Sequence, residues 1–521
     1  MPSTSKWERI ASRVEPLLLG KDRRRFWGAL KQSLLLEEPL DRQDEWRALW
    51  HAVVVTTWFP NTSIGFDLLD AHEAAQRQRG RFVEGDELHY RVFRLGISYN
   101  LKDRETYLKE YEAIEWDRLP DWPLFRALRL RIAVTRNRKA EVHAVLRRGT
   151  GSPLLPEDRA RYLRIMADHF ATSAGCIRRG GILADRAADI CAQYATFDAQ
   201  VSWARNVALS ARTLVGTCEP IDLLLKKLKL ARDTVAKYRL DPEIALITTG
   251  LAKLLIEKGQ YDQARELGRE GLALLRRGVT KTSRSLIASF EFEAQFSVFL
   301  RCAICLGDAS AAAKCVRSAE RLLCYCNTPK YEGGYHLMKG EALSLTSKPE
   351  AAARAFEEFD RAEASFRRVG DGFESGINQV NLARGRLYEK LKQSQLALQC
   401  AEKVVIPSDL LLAGACLELK SRILLSPDLP NRHRLYEDIL ANLGQAWGPA
   451  PLFKVVANLY MYSWELGDDL EMTDYHLKQV NRMANHLDEP TFQRLYTEHV
   501  TKPVFRRALE KTFGLSLPAV N

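Results

Sequence analysis

Long apolar runs are missing from this 521-residue sequence. The longest, Ala48–Phe59 (ALWHAVVVTTWF), falls well short of the roughly 20 residues that a spanning helix needs, and His51 interrupts it. It reads as a buried helix. Met1–Gly20 lacks a long apolar core and a small-residue cleavage site, so no secretory signal is evident. Strand signals are scarce: alternating Val/Ile/Thr runs bounded by Asn-Gly or Asp-Gly turns do not appear. The ten cysteines are scattered through helical patterns in a large chain, which favours reduced thiols over a disulfide framework. Together these absences argue against a membrane-embedded or secreted disulfide protein, and the expected location is cytoplasmic.

Catalytic signatures are missing too. No Gly-rich loop ends in Gly-Lys-Ser/Thr, and Gly20-Lys21 follows no such loop. His72-Glu73 begins a zinc-protease pattern but lacks the second histidine. No GxSxG elbow or kinase loop set is present. The best metal candidates are Cys302, Cys305, Cys315, Cys324 and Cys326. Zinc would need four ligands converging tetrahedrally, at about 2.3 Å for each sulfur. Cysteine also suits tight helix contacts as a small apolar residue, and we read these thiols as buried structural groups. The expectation is a protein that is not an enzyme, with no metal and no cofactor.

What is present is helical periodicity, broken only by short stretches such as GDASA, TSKPE, LGDD and GTCEP. Helices joined by such short loops pack antiparallel, so the class is all-α. One stretch, Leu254–Leu275 (LLIEKGQYDQARELGREGLALL), reads as helix, tight turn, helix, with Ala264 where two helices approach closely. The layout recurs. Phe299–Leu323 has Gly307 at the turn and Ala312 at the close contact. Lys339–Phe359 has Gly340, a turn near Ser347, then Ala352 and Phe356, and Ala383–Val405 has Gly385, Tyr388 and Ala397. Weaker copies follow at Ala413–Leu443 and Val456–Met483. Turns fall near 216, 259, 307, 347, 392, 427 and 467, at intervals of 43, 48, 40, 45, 35 and 40 residues. A single hairpin cannot bury its own apolar faces, so neighbours stack and share a core.

This Gly/Tyr/Ala pattern resembles tetratricopeptide repeats, and Ala362–Lys390 is similar to the longer repeats, of roughly 40 residues, in the sensor arms of bacterial MalT-like regulators. The resemblance covers residues 196–485. It implies a right-handed, superhelical α-solenoid of stacked antiparallel hairpins, whose first helices line a concave groove. In that family the residue after the small position of the first helix points into the groove. Here those positions are Lys253, Arg301, Glu341 and Arg386, with Lys390 one turn beyond. The expected organisation is a Trp-rich helical region at 1–122, Arg-rich degenerate repeats at 123–195, tetratricopeptide-like repeats at 196–485 and capping helices at 486–521. Seven of the ten tryptophans lie by Trp122, and they fill either a core or a partner surface.

Charge sharpens the reading. The formal net charge is +11. Between Arg126 and Arg186 there are 14 Lys or Arg against 5 Asp or Glu, a net +9. The basic patch comprises Arg126, Arg129, Arg136, Arg138, Lys139, Arg147 and Arg148. Cations of this kind suit helix C-termini, and they also suit nucleic acid or an acidic protein face. The leading expectation is a non-enzymatic scaffold or sensor that binds a protein or peptide partner, with an acidic surface, through Lys253, Arg301, Arg386 and Lys390, and regulates it within a larger assembly. The alternative is a helical-repeat subunit that associates with nucleic acid or ribonucleoprotein through the basic region.

Overall fold

The computed structural model describes residues 5–19, 23–57, 63–100, 110–119, 123–135, 139–147, 156–172, 177–194, 196–214, 221–278, 284–326, 328–346, 348–369, 374–404, 411–425, most of 434–441, 449–465, 467, 470–500 and 503–514. All regular structure among the described residues is helical. None of these helices is long and apolar enough to cross a membrane.

The chain begins with α1 (Lys6–Val14), α2 (Arg23–Leu36), α3 (Arg42–Thr57), α4 (Ser63–Gln78) and α5 (Asp86–Asn100). Ser5 and Glu8 cap α1 reciprocally, each side chain accepting the other's backbone N–H. A buried polar network then ties α1, α3, α4 and α5 together. Lys6 Nζ donates to Glu45 Oε2 at 2.6 Å, and Gln76 Nε2 donates to Glu45 Oε1 at 3.1 Å. His72 Nε2 meets Glu45 Oε1 at 2.5 Å, and His72 Nδ1 meets the Tyr90 hydroxyl at 2.8 Å. Glu45 is ionised and therefore accepts, so His72 Nε2 donates to it. Burial alone would raise the Glu45 carboxyl, but the bonds from His72 and Lys6 hold it below the ordinary value. Trp7, Trp46 and Trp50 are buried beside this network, while Trp27 and Trp116 are partly buried against the same core. Trp58 and Trp122 lie outside the described residues. The five described tryptophans of this N-terminal region therefore serve packing.

Next come α6 (Pro123–Thr135), α7 (Lys139–Arg147), α8 (Pro156–Thr172) and α9 (Ile177–Ala192). From α8 onward, antiparallel hairpins stack in sequence. They continue through α10 (Phe197–Leu214) with α11 (Ile221–Ala236), and α12 (Asp241–Glu257) with α13 (Tyr261–Gly278). The first helix of the following hairpin, α14, runs Arg284–Ala294, passes through a π-helical turn at Gln295–Leu300 and ends as Arg301–Cys305. Its partner is α15 (Ala309–Leu322). Then come α16 (Pro329–Ser344) with α17 (Pro349–Arg367), and α18 (Glu374–Lys390) with α19 (Ser394–Glu402). The helix α20 (Leu411–Leu425) packs on α18 and α19, and α21 (Pro449–Glu465) with α22 (Leu470–Ala484) continues the stack. The last two helices, α23 (Glu489–Val500) and α24 (Pro503–Phe513), close the core around Phe453 and Tyr460.

Local chemistry explains the hairpins. Gly259 and Gly307 adopt positive φ at the turns. There Gln260 N bonds Leu255 O and Gly259 N bonds Ile256 O, with the same pair repeated by Asp308 and Gly307. These six-to-one and five-to-two bonds satisfy the last carbonyls of the first helix. The α18–α19 turn is built identically but places Lys392 at φ 59, a conformation that disfavours a Cβ. After the turn, Ala264, Ala312, Ala352 and Ala397 are all buried, which lets the second helix lie close to the first. At Gly340 any side chain would run into the Phe359 ring of that second helix.

Polar contacts between successive hairpins also recur. Arg161 pairs with Asp198, Gln200 with Tyr238, Arg205 with Glu243, Asp222 with Lys258 and Arg232 with Glu270. Their sequence separations of 36 to 38 residues mark the length of one repeat unit. The core that contains Trp7 also runs on through Phe197 and Leu224 to Cys302. Glu15 Oε2 accepts from Phe197 N at 2.9 Å, and Arg23 donates to the Arg239 carbonyl at 3.0 Å. The first forty residues are thus fastened to the α10–α12 region.

Candidate ligand-binding face

The first helices of consecutive hairpins, α12, α14, α16, α18 and α20, lie side by side, each packed on the next through α14's π turn or directly. Along this row Ala252, Leu300, Gly340 and Gly385 are buried toward the second helices. The residue after each one is Lys253, Arg301, Glu341 or Arg386. All four reach solvent: Lys253 and Glu341 are half-buried, Arg301 and Arg386 exposed. A change of about 100° per residue around a helix accounts for this switch from packed to open.

Three of the four residues sense one another. Burial raises the Glu341 carboxyl above its usual value, while Arg301 and Arg386 oppose that rise. Burial lowers the Arg386 guanidinium, Arg301 lowers it further, and Glu341 and Glu389 pull it back. Arg386 is exposed by surface area, yet burial is the leading cause of its shift. The side chains of Arg301, Glu341 and Arg386 form no hydrogen bond or ion pair with any described residue, although the Glu341 carbonyl accepts from Ser344 Oγ. Arg384, two residues from Arg386, by contrast bonds both Asp360 and Glu363.

Lys390 sits differently. Its ammonium donates to the Ser344 carbonyl at 2.8 Å and to the Leu345 carbonyl at 3.4 Å, at the C-terminal end of α16. There it stabilises the carbonyl end of a neighbouring helix. Lys253 is engaged within the protein as well.

Several described arginines of the Arg-rich segment have internal partners. Arg129 Nε donates to Glu141 at 3.1 Å and lies 5.5 Å from the Trp116 ring. Arg161 is paired with Asp198, and Arg179 stacks 4.3 Å from the Phe170 ring. Arg126 is half-buried near Tyr162. Arg136, Arg138 and Arg148 lie outside the described residues, as do the side chains of Lys139 and Arg147.

The cysteine group divides. Cys302, Cys315 and Cys326 are buried, Cys305 and Cys324 exposed. Burial pushes the Cys302 and Cys315 thiols up to about 11, which leaves them protonated and poor ligands or nucleophiles. Among the described residues no three His, Cys, Asp or Glu side chains converge as a metal site would require.

Stacked antiparallel hairpins with small residues at the close contacts and an open first-helix face define a tetratricopeptide-like all-α fold. No protein-family profile matches the chain, and no curated protein matches it in sequence. Solved structures similar to it include the Rap protein complexed with competence and sporulation factor, at 12% identity and TM-score 0.43, covering 77% of this chain and 96% of that one. Aspartyl phosphate phosphatase F from Bacillus subtilis is similar at 14% identity and TM-score 0.38, covering 78% and 96%. The human IFIT1 dimer with m7Gppp-AAAA is similar at 12% identity and TM-score 0.38, covering 91% and 100%.

Proposed function

We propose that this protein is a non-enzymatic scaffold or sensor of the tetratricopeptide-like kind, which binds a protein or peptide partner along its row of first helices and regulates it within a larger cytoplasmic assembly. The observation that carries this reading is the Arg301–Glu341–Arg386 row. Glu341 and Arg386 are partly dehydrated, Arg301 and Arg386 are exposed and Glu341 half-buried, and none of the three side chains is bonded to a described residue. A charged group held out of water without a partner costs free energy, and a ligand that supplies the counter-charge recovers it. The roughly 40-residue hairpin, similar to MalT-like sensor arms, fits the sensor form of the proposal.

Proteins that share this fold take different ligands, so the fold does not choose the partner. The nucleic-acid alternative would act through the Arg126–Arg186 segment, where Arg129, Arg161 and Arg179 already have internal partners. The test is to purify the tagged protein from its host at moderate salt, with and without nuclease. A stoichiometric protein partner retained after nuclease is the expected result. Bound material that disappears with nuclease, and affinity that falls steeply with salt, would replace this reading with the nucleic-acid one.

A further inference from the structure

Along the row of first helices the accessible charges run plus, minus, plus: Arg301 on α14, Glu341 on α16 and Arg386 on α18. A carboxylate placed there only to neutralise its neighbours would bond at least one guanidinium. Glu341 bonds neither, although it feels both. The three groups therefore stand as separate contact points, each with unused hydrogen-bonding capacity. A uniformly acidic ligand would satisfy the two arginines but set a carboxylate against Glu341.

The spacing of the points suggests the shape of the ligand. Neighbouring packed helices lie roughly 8–10 Å apart. A polyproline-II chain rises about 3.1 Å per residue with three residues per turn, so positions i, i+3 and i+6 share one face at intervals of about 9 Å. Arg301 owes its place in the row to the π turn at Gln295–Leu300 immediately before it. Removing one residue from that turn would rotate Arg301 by about 100° off the row. Such turns interrupt a regular helix and recur at functional sites.

Resting on the scaffold reading above, we infer that this row recognises an extended peptide segment bearing an acid, a base and an acid at positions i, i+3 and i+6. The acids meet Arg301 and Arg386, and the base meets Glu341. Glu341 is then a specificity determinant that selects against polyacidic ligands through like-charge repulsion.

Fluorescence anisotropy with three labelled synthetic peptides tests this on the full chain. They share a Pro/Ala spacer and carry Glu, Lys, Glu, or three Glu, or Lys, Glu, Lys at the three positions. The expected result is that Glu, Lys, Glu binds wild type about tenfold tighter than three Glu, the scale of one charge-assisted contact. Glu341→Lys should invert that preference, and Arg301→Gln with Arg386→Gln should weaken both acidic peptides. If three Glu binds wild type as well as or better than Glu, Lys, Glu, and Glu341→Lys leaves that order unchanged, the charge order is overturned while the scaffold reading stands. If no peptide binds and a nuclease-resistant partner is recovered equally by the Arg301/Arg386 variant, the row is not the binding face and both readings fall. The peptide comparison is made on wild type, so it does not depend on any variant folding.

Discussion

The N-terminal helices and the first-helix row handle charge in opposite ways. Lys6, Glu45 and His72 are almost fully buried, and each is bonded to another member of the network. Arg301, Glu341 and Arg386 reach solvent and are bonded to no described residue. A buried charge survives folding only if its partner is buried with it. An accessible, partly dehydrated charge without a partner adds nothing to folding, so its value lies in what it meets from outside. The first arrangement is structural, and the second is the one we propose as a binding surface.

The largest expected effect comes from breaking the paired side. Glu45→Ala strands the Lys6 ammonium and removes the acceptor of His72 and Gln76, so chemical denaturation should show a loss of about 3–5 kcal/mol. Acid should weaken the same region. Glu45 has a folded pKa below its unfolded one, so its stabilisation is present above the ordinary carboxylate range and is lost as pH falls through the folded value. His51, stacked on Trp7 at 5.3 Å, is held neutral by burial and by the nearby Arg161, with its pKa lowered to about 3. The unfolded chain takes up that proton near the ordinary value of 6.5. Stability should therefore decline as pH drops from about 6.5 towards 3, and His51→Gln should flatten that decline in pH-dependent melts. Glu341 has the reverse sign: its raised pKa favours the folded state below the ordinary carboxylate range, a contribution lost as pH rises through the folded value.

Packing gives a middle-sized effect. Gly340→Ala drives a methyl into the Phe359 ring and should cost about 1–3 kcal/mol. Lys392→Gly relieves a left-handed residue at the α18–α19 turn and should stabilise by about 0.5–1 kcal/mol, seen as a raised denaturation midpoint. At the unpaired row, Arg386→Gln should leave stability within about 0.5 kcal/mol of wild type. A loss comparable to that of Glu45→Ala would erase the distinction between the two regions.

Much of this architecture was legible in local pattern. Gly259, Gly307 and Gly467 announced their turns, and Ala264, Ala312 and Ala397 announced the close helix contacts, because both depend on residues near in sequence. The row from Lys253 to Arg386 followed from repeat register alone. Other features were not legible. The π turn at Gln295–Leu300 has no residue signature in the sequence. The amine of Lys390 chooses the end of α16, a decision made in three dimensions between helices 45 residues apart. The joining of Glu15 to Phe197 and of Arg23 to Arg239 spans 182 and 216 residues, which periodicity cannot report. Charge counting likewise cannot see that Arg161 already faces Asp198.

The most direct measurement is quantitative recovery of the nuclease-resistant partner by wild type and by an Arg301→Glu, Arg386→Glu variant, beside a control that reverses the exposed Arg317 and Arg321 on the second helix α15. The account predicts that the row variant, folded by circular dichroism, loses the partner while the control keeps it. Equal recovery by both would contradict the claim that the unpaired row is the working surface.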